Sequence, residues 1–159
     1  MTSDAWPASR AARLFGVALL TSSALWPLLP LLTKYAPVSA PLEHAASAWF
    51  SLHCQRDPGR TLSLLGVPLA VCARCSGIYF GLGAGALVRR PQLTPRALRL
   101  WVLAGAAFML LDVALEAGGL HAPWAALRVL TGVLLGYPVG VGLGALALGA
   151  SVRAPAQRP

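Results

Sequence analysis

Charge is scarce in this chain of 159 residues: 11% are Asp, Glu, Lys or Arg, and only five are acidic. An average globular domain carries about a quarter, so the polar surface of a water-soluble domain cannot be built from this composition. Cysteine is scarce too. Three cysteines are too few for a disulfide-stapled scaffold. No internal repeat is apparent, which sets aside solenoids and propellers. A compact basic face is also missing. The formal charge is +8, but the thirteen basic residues fall in short flanks beside apolar runs rather than on one stripe, and this argues against a nucleic-acid partner.

What the chain does have is apolar sequence, with 57% hydrophobic residues gathered in runs. The pattern predicts an all-α, polytopic membrane protein of four transmembrane helices, whose first partner is the lipid bilayer. The helices are expected at about residues 14–33, 68–88, 98–117 and 125–150, as a single domain over 14–150 between tails 1–13 and 151–159. Val38-Ser39-Ala40 resembles a signal-peptide cleavage site. The first run is longer than a normal signal core, however, and Pro41 follows at once, so it is read as a retained span. Gly66 and Pro68 punctuate the second run, and its helix is expected to start near Pro68. Pro138 is an expected kink in the fourth.

Basic residues set the orientation. Arg10, Arg13, Arg89, Arg90, Arg96, Arg99, Arg153 and Arg158 share one side, against Lys34, Arg56 and Arg60 on the other. By the positive-inside rule both termini are cytoplasmic and the 34–67 loop faces outward.

Gly77, Gly81 and Gly85 recur every four residues on the second expected helix, and Gly132, Gly136, Gly140 and Gly144 do so on the fourth. Small-residue ridges let backbones approach in lipid. They predict contact between these two helices, or a homo-oligomer through the same faces. If they align, Arg74, Asp112, Glu116 and Arg128 meet at one depth near Cys72 and Cys75, with Arg60 close by in the loop. Intramembrane charges are either paired or functional; a structural ion pair and a neighbouring site are compatible readings.

The chemistry lies in His53-Cys54, then seventeen intervening residues, then Cys72-Ala73-Arg74-Cys75. Thiolates and imidazole in this spacing resemble a zinc site, so His53, Cys54, Cys72 and Cys75 are candidate ligands of a soft transition metal, zinc first. Adjacent residues point apart in extended chain, so one of His53 and Cys54 need not ligate, and water, Asp112 or Glu116 could fill the fourth position. A rival reading is redox. A Cys-x-x-Cys at a helix N-terminus beside Arg74 is expected to have a lowered thiol pKa, and could pass electrons to a membrane quinone as a thiol-disulfide oxidoreductase. A metal transporter or sensor ranks lower, because beyond Tyr79 and Tyr137 the inner halves of the helices offer few donors. Nothing in the residues names a reaction, so enzymatic activity is left open. His44 and His121 read as ordinary loop histidines.

The blocks HCQRDPGR (53–60) and GVPLAVCARCSGIYFG (66–81), followed by Leu111-Asp112 and Arg128-Val129-Leu130-Thr131-Gly132 with Gly136, resemble the family of small prokaryotic membrane proteins named domain of unknown function 2085. The resemblance spans residues about 45 to 140. In that family Cys-His is more frequent where this chain has His53-Cys54, which keeps both donor types and shifts each by one residue. The resemblance implies a protein of the inner membrane of a prokaryote with a shared Cys/His cluster, and it implies no activity.

Overall fold

The computed structural model describes residues 10–35, 40–52, 54, 57–88 and 94–148. Helix α1 (Arg10–Ser22) passes through a 3-10 segment (Ser23–Leu28) into α2 (Leu29–Tyr35), and α3 (Ala40–Ser51) follows. A 3-10 turn (Pro58–Arg60) leads to strands β1 (Thr61–Leu64) and β2 (Val67–Cys72), and then come α4 (Ala73–Ala86), α5 (Pro95–Ala117) and α6 (Ala125–Ala147). The chain is mostly helical. Three stretches are long and apolar enough to cross a bilayer: Leu14–Tyr35, Pro95–Ala117 and Ala125–Ala147. Of the expected tails 1–13 and 151–159, residues 1–9 and 151–159 lie outside the described residues, and residues 10–13 open α1.

The second expected helix needs correcting. Pro68 does not begin it; Pro68 lies in β2, paired with Ser63 across an antiparallel hairpin. Proline has no N–H to offer a ladder, but a two-stranded ribbon leaves one edge unpaired, where that loss is harmless. The hairpin closes through Leu65 and Gly66, both at positive φ (52° and 73°), as a two-residue turn requires. Helix α4 therefore starts five residues later than expected and has 14 residues. At about 1.5 Å per residue it is shorter than a bilayer core. β2 extends it outward, lying against α2 and the 3-10 segment before it. The expected loop 34–67 likewise contains α3 and β1, and the class is helical with one small sheet.

The other helix starts obey local rules. Thr94 Oγ1 accepts the Ala97 N–H at 3.2 Å, and Pro95 occupies the first helical position, where its missing N–H is not needed. Helix α6 continues through Pro138, which is buried. Along α5 Leu100, Leu103, Phe108 and Leu110 are exposed, as expected of a face whose solvent is lipid.

Helices α4 and α6 make the most extensive contact among the described elements. A Cβ added at Gly77 would overlap the Val129 carbonyl, and one at Gly132 would overlap the Arg74 carbonyl. Gly81 and Gly85 meet the backbone at Tyr137, and Gly136 and Gly140 meet Ile78 and Leu82. The two backbones touch without side chains between them. Helix α5 joins through Gly105, which faces Leu134, and the first span reaches α4 at Gly83, against Ala24.

This packing predicts that Gly132→Leu loses about 3 kcal/mol or more, because a rigid backbone cannot yield to the new side chain. Gly142→Ala, which meets only the end of the Leu98 side chain, should be nearly neutral. Unfolding of both variants in detergent micelles checks the contrast.

Candidate metal centre

Three elements deliver the thiols. Cys72 is the last residue of β2 and the N-cap of α4. Cys75 stands three residues later, which puts both side chains on one side of the first turn. Cys54 follows α3, its N–H bonded to the Phe50 carbonyl at 2.9 Å. The Cys54, Cys72 and Cys75 sulfurs all lie within 4.8 Å of one another. All three cysteines are free and half-buried. The Cys72 N–H donates to Cys54 Sγ, 3.2 Å away. His53, the fourth expected ligand, lies outside the described residues.

An apolar wall backs the thiols. Phe50, Ala70 and Val71 are buried, and Cys54, Cys75 and Tyr79 pack against them. The Trp26, Phe50 and Tyr79 rings form a triangle with centroids 6.1 to 6.3 Å apart. Tyr79 lies one turn after Cys75, so helical spacing could have suggested it. Nothing local to Trp26 or Phe50 pointed to the cluster.

Arg74 lies between the two α4 cysteines in sequence but serves the other side. Its Nη2 is 2.7 Å from Asp112 Oδ2 and 2.7 Å from Glu116 Oε2, and its Nε is 3.0 Å from Asp112 Oδ2. Arg128 of α6 holds Glu116 through both Nε (3.0 Å) and Nη2. The side chains of Asp112 and Arg128 are 3% and 4% exposed, so neither charge has water to stabilise it. Two guanidiniums and two carboxylates sum to zero, and this neutrality makes the buried arrangement tenable. Arg60 is peripheral: it is half-exposed, 3.3 Å from Asp57 and 3.8 Å from Glu116.

Asp112 and Glu116 were also candidates for the fourth ligand position. Asp112 Oδ2 and both Glu116 oxygens are bonded to arginines, and neither carboxylate joins the three converging thiols. A residue read as ordinary joins the carboxylates. His121, in the turn between α5 and α6, places Nε2 3.4 Å from Asp112 Oδ1. The brevity of that turn is the signal that could have located it, since a short return must pass the end of α5.

A thiolate is both the metal-binding and the nucleophilic form of cysteine.

A family model described as "Predicted membrane protein (DUF2085)" matches residues 54–141, more than half of the chain. The match takes in all three cysteines and the four charges of the network. No curated protein and no solved structure gives a match.

Proposed function

The chain belongs to this family of membrane proteins, and from that premise we propose that it binds a soft transition metal, zinc first, through Cys54, Cys72 and Cys75 at the outer boundary of the membrane. The observation that carries the reading is the convergence of three sulfurs within 4.8 Å, with Cys54 brought from the end of α3 to the pair at the start of α4. Thiolates are soft anions suited to zinc or copper(I). Three of them beside an apolar wall leave a fourth position for His53 or a water molecule.

In the proposed topology α4 is the fourth crossing element, completed outward by β2, and the Arg-rich 89–99 segment and both termini are cytoplasmic. The domain then runs over 14–150 in the inner membrane. A strand at membrane depth is tolerable only where protein covers its backbone, and β2 has α2 and β1 beside it. The glycine ridges meet each other inside one chain, so a homo-oligomer would use another face.

Buffering of the charges by one another supports a static role for the network. Arg74 anchors the first turn of α4 to α5, and so fixes the direction in which Cys72 and Cys75 present their sulfurs.

The test is elemental analysis of purified protein. We expect about one zinc-like ion per chain, lost in the Cys72→Ser, Cys75→Ser double variant. Absence of stoichiometric metal, or metal unchanged by the double substitution, overturns the reading.

One observation favours a second reading, a thiol-disulfide oxidoreductase coupled to a quinone: the Cys72 and Cys75 sulfurs lie within 4.8 Å of each other at the N-terminus of a helix. It predicts that trapping thiols in intact cells finds Cys72 and Cys75 in both reduced and disulfide forms. Thiols that are always reduced and shielded by metal would eliminate it.

A further inference from the structure

Beyond the cysteine cluster, two buried polar atoms without hydrogen-bond partners face each other. They are Asp112 Oδ1 and His121 Nε2, 3.4 Å apart. The other atoms of both groups are committed. Asp112 Oδ2 accepts two bonds from Arg74. His121 Nδ1 lies 2.9 Å from the Ala122 carbonyl. A carbonyl only accepts, so Nδ1 is the ring nitrogen that carries hydrogen, and in that tautomer Nε2 presents a lone pair to the carboxylate.

Two lone pairs facing each other in a buried position need something electropositive between them. A proton would draw nitrogen and oxygen into a charge-assisted bond of about 2.7–2.9 Å, closer than the spacing observed. A metal ion holds its ligands further apart: tetrahedral bonds of about 2.0–2.1 Å to nitrogen and oxygen set neighbouring donors about 3.3–3.4 Å from each other. The observed separation has that value. The Ala122 carbonyl also supplies the contact that a metal-bound histidine usually makes through its other nitrogen, which fixes tautomer and ring direction.

We propose that His121 Nε2 and Asp112 Oδ1 form a second metal site, for a divalent first-row transition ion such as zinc or cobalt(II), completed by water. Its donors are imidazole and carboxylate, harder than the thiolates of the first site. Two protein ligands make a modest site, and the Arg74 guanidinium on the far oxygen of Asp112 weakens it further. The His121 ring is 28% exposed while both donor atoms are buried, so the ion and its water enter only when the 118–124 turn opens. The site does not depend on metal at the cysteines.

Full-length protein in detergent is treated with diethyl pyrocarbonate, with and without zinc chloride, and the peptide carrying His121 is followed by mass spectrometry. Zinc should slow modification of His121 several-fold, and equally so in the Cys72→Ser, Cys75→Ser variant. In parallel, cobalt(II) binding should drop by about one equivalent per chain in His121→Ala while any thiolate-to-cobalt absorption remains. Equal modification rates with and without zinc, protection that disappears with the cysteines, or unchanged cobalt stoichiometry in His121→Ala would each overturn the second site. Failure of the cysteine site alone would instead remove the thiolate absorption and leave the protection of His121 in place.

Discussion

The backbone contact between α4 and α6 is the constraint from which the rest follows. Between lipid-embedded helices there is little hydrophobic drive, so close van der Waals contact must supply the attraction. Glycine at 77, 81 and 85 against 132, 136 and 140 removes the side chains that would hold the helices apart. That contact fixes the relative depth of the two helices, and Arg74 and Arg128 come level as a result. Glu116 can then bond to both. A glycine seam thus determines an ion network, and the network orients the turn that carries the thiols.

Arg74 divides the labour of that turn. Residues 72 and 75 share one side of a helical turn, while residue 74 points away from them. The positive charge thereby neutralises α5 carboxylates instead of pairing with the thiols. The Cys72 sulfur has its sulfur neighbours and the helix N-terminus beside it instead. Had the carboxylates turned toward the sulfurs, two buried arginines would lack counter-charges. The cost of such isolation, several kcal/mol per ion, keeps the two clusters separate although they are adjacent in sequence.

Much of this was legible in the residues. The apolar runs around 14–33, 98–117 and 125–150 are membrane-length helical stretches, and the glycine periodicity identified the two helices that touch. The meeting of Arg74, Asp112, Glu116 and Arg128 followed from aligning the ridges. The hairpin was not legible, because Leu65-Gly66 lacks the Asn or Asp that usually marks a tight turn, and Pro68 reads more naturally as a helix start than as a strand residue on an open edge. Helix α3 was hidden inside what looked like a loop, since its twelve residues are too few for a span. His121 was missed because one histidine in a short turn carries no pattern. Its importance comes from where the turn brings it, next to a carboxylate nine positions earlier.

X-ray absorption at the metal edge of the protein as purified tests the central claim most directly, since it reads the donor atoms themselves. The account predicts a shell dominated by sulfur, about three scatterers at about 2.3 Å with at most one lighter atom. A shell of nitrogen and oxygen alone would contradict it, and would leave the three thiols without a metal to explain their convergence.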